Sequence, residues 1–222
     1  MARFERFVAH EVPGADALYI LGDLFEAWIG DDSLVLPFPD RIAKALRSAS
    51  AATPTFFMHG NRDFVAGGRF ERETGVKILP DPSTIELYGL HAVILHGDSL
   101  CTDDLPYQAF RKQVRDPEWQ KKTLALPIEA RMKIAETMRA EGDKAKATKS
   151  MSIMDVSPAS VEQAFRDSGR DLMIHGHTHR PARHDHLVDG RNCVRWVLPD
   201  WYETGGYLEA SPAGLRAVAL AD

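Results

Sequence analysis

Four short apolar runs end in the same way, and this repetition restricts the fold more than any other feature of the chain. ALYIL (17–21) runs into Gly22-Asp23, and TFFM (55–58) into His59-Gly60-Asn61. AVIL (92–95) runs into His96-Gly97-Asp98, and DLMI (171–174) into His175-Gly176-His177. Each run has the length of a strand. An uninterrupted apolar strand is covered on both faces, as in an α/β sheet or a sandwich with helices outside. Ligands gather at the carboxyl ends of such strands, and glycine there lets the backbone turn sharply and approach an ion or phosphate closely. The last run continues as His-Gly-His-Thr-His to residue 179. Residues i, i+2 and i+4 of a strand share a face, so an unbroken strand would point His175, His177 and His179 the same way.

Helical patterns lie between these runs. Phe4, Phe7 and Val8 have the i, i+3, i+4 spacing of a helix, as do Ile42, Ala45 and Leu46. Asp104 is placed to cap a helix that turns Tyr107, Phe110 and Val114 to one side. Pro127 opens another, with Ile128, Met132, Ala135 and Met138 inward and a stop near Gly142; residues 142–150 read as a polar loop. A further helix begins with Val161, Ala164 and Phe165. The C-terminus is β, with an Asp189-Gly190 hairpin turn and a second turn at Ser-Pro-Ala-Gly. Residues 105–150 therefore read as a helical insertion in one domain spanning 1–222.

That insertion carries eleven Lys or Arg against six Asp or Glu, in a chain whose net charge is −5. The overall sign argues against a dedicated nucleic-acid binder. The local excess fits an anionic partner, either phosphate groups or an anionic lipid surface, and equally a solvated helical face. Two cysteines make no disulfide framework, which places the chain by default in a reducing cytoplasm. The first twelve residues contain no apolar stretch of the signal-peptide kind.

The candidate metal ligands are Asp23, Asn61, His96, His177 and His179. Carboxylate, amide oxygen and imidazole together suit a divalent ion such as Mn²⁺, Fe²⁺ or Zn²⁺. Such donors commonly hold two ions about 3.5–4 Å apart for hydrolysis of a phosphoester or phosphoanhydride. Each residue alone has a plainer use: Asp23 as a turn residue or helix cap, Asn61 in a turn, His96 as a hydrogen-bonded core residue. The joint pattern favours the metal. His59 and His175, one position before their glycines, read as supporting or packing residues. His184 and His186 read as exposed.

The order Gly-Asp, Gly-Asn-x-Asp, His-Gly-Asp, Gly-His-x-His resembles the calcineurin-like metallophosphoesterases. DALYILGDLFEAWIGDD (16–32), HGNRDF (59–64), LHGDSLCTDD (95–104), SIMDV (152–156) and IHGHTHRP (174–181) narrow the likeness to the enzymes that hydrolyse UDP-2,3-diacylglucosamine in lipid A biosynthesis. The resemblance implies a four-layer α/β/β/α sandwich with a helical cap insertion. It implies cleavage of the diphosphate to UMP and 2,3-diacylglucosamine 1-phosphate, and a peripheral place on the cytoplasmic face of the inner membrane. It implies two Mn²⁺ ions bridged by Asp23, with Asn61, His96 and His177 completing one shell and His179 serving the other. Arg62 would grip phosphate oxygens, Asp104, Lys146 and Lys149 match substrate-contacting positions, and the helices from Tyr107 to Met138 would shelter acyl chains. The implied partners are the lipid nucleotide and the membrane surface, with neither nucleic acid nor a protein partner.

The sequence departs from that pattern at its start. The family opens with a strand ending in Asp-x-His, and no Asp-x-His occurs here. The resemblance therefore places this first strand upstream, by roughly 20 or more residues, with a start-site error or truncation as the expected cause. The second ion is then left with Asp23 and His179. The alternative readings are another phosphoesterase of the superfamily, or a metal-binding remnant without turnover.

Overall fold

The computed structural model describes residues 2–148, 153–202 and 205–220, the last three of the first range by backbone alone. The chain divides into two compact units, Met1–Leu79 with Asp104–Met154, and Pro80–Asp103 with Asp155–Asp222.

The first unit contains α1 (Ala2–His10), β1 (Leu18–Ile20), α2 (Pro37–Ser50), β2 (Thr55–Met58), α3 (Gly68–Thr74) and β3 (Lys77–Leu79). Three more helices follow in it, α4 (Leu105–Val114), α5 (Pro117–Leu124) and α6 (Ile128–Thr148). The strands form a parallel sheet in the order β1-β2-β3, with Leu18 opposite Thr55 and Phe56 opposite Lys77. Parallel neighbours need crossover connections, and α2 and α3 supply them. Ile42 and Leu46 of α2 are fully buried. Beside them Phe25, Trp28 and Phe57 each pack edge to face with Phe70, the Phe57 and Phe70 centroids 5.4 Å apart.

The expected helix from Pro127 is present but runs farther and faces differently. It continues through Gly142 to Thr148, so the polar loop expected at 142–150 is helical for most of its length. One glycine weakens a helix by about 1 kcal/mol relative to alanine, and the Ala, Glu and Lys residues around it outweigh that. Met132, expected inside, is exposed. Arg131 takes its place on the inward stripe, three residues after Ile128 and four before Ala135.

Arg131 is the polar anchor of this helix, its side chain only 3% exposed. It grips Asp32 through both terminal nitrogens, with Nη1 2.8 Å from Oδ1. It also donates to the carbonyls of Ile29 and, at 2.9 Å, Leu126. The Arg131 hydrogen bond holds the Asp32 carboxyl below its ordinary pKa. Asp32 is half exposed, so the two deletions are unequal. Asp32→Ala strands a buried guanidinium and should lower stability by about 3 kcal/mol. Arg131→Met leaves only a solvated carboxylate and should lose about half as much; chemical denaturation of both variants checks the order.

The second unit contains β4 (Ser83–Leu87), β5 (Leu90–Leu95), α7 (Pro158–Ser168), β6 (Leu172–His175), β7 (Ala182–Val188), β8 (Arg191–Val197), β9 (Gly206–Ser211) and β10 (Gly214–Ala219). A mixed five-stranded sheet runs β4-β5-β6-β8-β7, and β9 and β10 pair as a separate hairpin. The parallel trio β5-β6-β8 is central, with Val93 opposite Met173 and Met173 opposite Arg195. Both hairpin turns within the five-stranded sheet use a left-handed pair, Tyr88-Gly89 and Asp189-Gly190. Val93, Leu95, Met173, Val161 and Phe165 form the core between this sheet and α7. His186, expected in solvent, is half buried on β7 with its ring 5.7 Å from Phe165, and His184 is also half buried. Strand alternation turns both toward that covered face.

Candidate metal centre

In the first unit the loops after β1 and β2 interlock. Asp63, fully buried, accepts backbone N–H bonds from Gly60 (2.7 Å), Leu24 (2.8 Å) and Asp23 (3.2 Å), with Phe25 N at 3.5 Å. Asp23 Oδ1 accepts in turn from the Arg62 backbone N–H at 3.0 Å. A Cβ at Gly60 would overlap Asp23 Oδ1 and its backbone N. Glycine is required there by close approach, and the approach brings the Asn61 loop against Asp23.

The Arg62 side chain is 18% exposed and donates to Glu26 at 3.1 Å, with Asp23 Oδ2 at 3.8 Å. Two insertion residues reach the same loops: Arg139 of α6 pairs with Glu26 at 3.1 Å, and Arg115, just past α4, donates to the Gly60 carbonyl at 3.1 Å.

In the second unit His96 follows β5, 1% exposed. Its ring centroid is 5.0 Å from that of His177, and the two rings bring ligand nitrogens within 4.8 Å of each other. The Gly176 N–H donates to the His96 carbonyl at 2.9 Å. Burial pushes the His177 pKa well below the ordinary histidine range. Burial takes His175 down to about 4. Both rings are therefore neutral near pH 7, the form with a lone pair to give. His179 is exposed, 5.6 Å from the Tyr202 ring.

The chain does not keep His175, His177 and His179 on one strand face. β6 ends at His175, and both His177 (φ 66°) and His179 (φ 55°) are left-handed. Five described non-glycine residues have positive φ: two belong to hairpin turns, and the other three are Asp23 (φ 55°), His177 and His179. This conformation costs an L-residue about 1–2 kcal/mol. Its restriction to three of the five proposed ligands is the strain pattern of a functional site.

The other proposed site residues fall elsewhere. Asp104 is buried and caps α4 by accepting from the Tyr107 N–H at 3.1 Å. Lys146 lies in α6, and Lys149 lies outside the described residues. His59 bonds the Ala66 carbonyl at 2.7 Å, a supporting role as expected. Sequence reasoning missed what Asp63, Arg131 and Arg195 do. Asp63 stood beside Asn61 in the Gly-Asn-x-Asp motif, and only its burial shows that it holds the loop together. Arg195 carried no signal beyond being a charge inside an apolar strand.

The donor types present, carboxylate, amide oxygen and imidazole with no thiolate, are those a divalent ion of borderline hardness takes. Both cysteines, Cys101 and Cys193, are buried and neither is in a disulfide. The chain belongs to the calcineurin-like phosphoesterase family, whose profile matches residues 1–181. It is a hydrolase of the metallophosphoesterase fold, α/β with mixed sheets and helices, in a family that uses divalent metals. It is 47% identical to the UDP-2,3-diacylglucosamine hydrolase of Stenotrophomonas maltophilia (strain K279a), over 98% of this chain and 91% of that protein. It is 48% identical, with the same coverage, to the protein of that name from Xanthomonas campestris pv. campestris (strain ATCC 33913).

Proposed function

We propose that this chain hydrolyses the diphosphate of UDP-2,3-diacylglucosamine to UMP and 2,3-diacylglucosamine 1-phosphate, a step of lipid A biosynthesis. The observation that carries the substrate is identity of 47–48% along 98% of the chain to hydrolases named for it. The left-handed backbone at Asp23, His177 and His179 supports the reaction class.

We assign Asp23, Asn61, His96 and His177 to one Mn²⁺ ion, and Asp23 and His179 to a second. Bound ions of this kind offset phosphate charge and lower the pKa of the attacking water. The chain's own residues supply the rest. Arg62 presents a planar fork suited to two phosphate oxygens, and its bond to Glu26 holds that fork oriented. Asp104, Lys146 and Lys149 are assigned to substrate contact, with Asp104 fixed by its capping bond. The helices of residues 105–150 are assigned to the acyl chains as a cap. Support comes from four exposed apolar residues in that segment, Leu105 (72%), Leu124, Leu126 and Met132.

The same segment is assigned to an anionic membrane surface, on the cytoplasmic face of the inner membrane. No helix among the described residues is long and apolar enough to cross a membrane. Each basic side chain near an anionic surface contributes about 1 kcal/mol. Changing Lys121 and Lys122 together to Glu should therefore abolish most sedimentation with phosphatidylglycerol vesicles. Undiminished sedimentation would remove this surface from the proposal.

The substrate and the bond cleaved are tested by hydrolysis in ¹⁸O-water with mass analysis. Attack at the α-phosphorus puts one ¹⁸O in UMP and leaves the sugar phosphate unlabelled. Label in the sugar phosphate would place attack on the other phosphorus. Turnover of simple phosphodiesters with none of the lipid nucleotide would assign a different substrate.

A further inference from the structure

The second unit buries a guanidinium that the proposed reaction does not use. Arg195 on β8 is 6% exposed, two residues from the end of its strand. Its Nη1 lies 2.9 Å from His175 Nε2 and its Nε 3.3 Å from His186 Nε2. A guanidinium has only donors. His175 Nε2 must therefore offer its lone pair, and the ring proton of the neutral imidazole must sit on Nδ1. That nitrogen is 2.9 Å from the Gly176 carbonyl oxygen, so Nδ1–H donates to it. The same oxygen accepts from the Thr178 N–H at 2.8 Å, while the Gly176 N–H bonds His96. The carbonyl of the peptide between Gly176 and His177 thus accepts two hydrogen bonds, and the N–H of the peptide before it is held by His96. A Cβ at Gly97 would stand 2.8 Å from His175 Nδ1, and Gly97 is left-handed at φ 115°, so glycine leaves the ring room for this bond.

We infer that Arg195 is a positioning residue for His177: it fixes the His175 tautomer, and His175 fixes the peptide from which the strained His177 projects. This deepens the metal assignment and rests on it. His177 pays for its φ of 66° only if the peptide before it is locked, and β6 provides no lock beyond His175, where the strand ends. The chain from Arg195 to Gly176 O supplies one. Supporting groups that orient a metal ligand typically change affinity by about 10–100-fold.

The test uses the whole chain and Mn²⁺ alone, with calorimetric titration beside thermal unfolding. Wild type should bind Mn²⁺, and Arg195→Met should bind it about 10–100-fold more weakly. His175→Gln keeps an acceptor near Arg195 but loses the donor to Gly176, and should show the same loss. In Arg195→Met, His175→Asn puts a fixed amide donor at the δ position and should recover most of it. Long-range ¹H–¹⁵N spectra should show the Nδ1–H tautomer of His175 in wild type and the Nε2–H form in Arg195→Met. If Arg195→Met does not fold, His175→Gln and Arg195→Lys are read in its place. A folded variant with lowered melting temperature, unchanged tautomer and unchanged Mn²⁺ affinity overturns the inference and leaves Arg195 a packing residue. Wild type that binds no Mn²⁺ overturns instead the metal assignment beneath it.

Discussion

Asp63→Leu should destabilise the protein by about 4 kcal/mol, the largest stability loss expected of any single substitution near the site. The buried carboxylate accepts three backbone N–H bonds of 2.7–3.2 Å from two loops. Bonds to a charged acceptor contribute about 1.5–3 kcal/mol each, and every buried donor left unmatched costs about 1–3 kcal/mol. Leucine matches the shape roughly but satisfies none of the donors. Asp63→Asn keeps one oxygen and should lose about half as much. The ratio matters more than either figure: similar losses for Leu and Asn would show that the charge, and not the count of N–H bonds, holds the loops. Urea unfolding of the two variants gives the comparison.

Asn61→Ala and His177→Ala should behave oppositely, keeping the fold and losing the reaction. The backbones at both positions are held by other groups, Asp63 through Gly60 on one side and His175 and His96 through Gly176 on the other. Removing a ligand should therefore subtract donor chemistry and leave the frame. Several kcal/mol of transition-state stabilisation pass through such ions, and about 4 kcal/mol is a ~10³-fold fall in rate. Both variants should keep wild-type melting temperatures without metal while kcat falls by that order. Near-normal rates in either would remove that residue from the site.

The contrast between these two classes explains what could be read in advance. The four runs that end in glycine and a ligand all became strands, since uninterrupted apolar residues with sharp glycine breaks admit little else. The ligand types were visible because their chemistry lies in the side chain itself. Their local geometry was not. The spacing of His175, His177 and His179 satisfied a strand, and only the backbone shows that the strand stops at His175. The same limit appears on α6. Ile128, Met132, Ala135 and Met138 fit a helical stripe, yet Arg131 at the neighbouring position faces inward because Asp32 and two carbonyls wait for it. A charge turned inward is invisible to hydrophobic periodicity, and so is the carboxylate of Asp63. Both act through partners distant in sequence, 99 residues away for Arg131 and about 39 for Asp63.

The most direct test of the account is metal-dependent UMP release by one preparation. The chain is stripped with a chelator, assayed on UDP-2,3-diacylglucosamine, and assayed again as Mn²⁺ is added back. The account predicts no UMP from stripped protein and a saturable return of UMP release with added Mn²⁺. UMP release that persists undiminished after stripping, or none at any Mn²⁺ concentration, would contradict it.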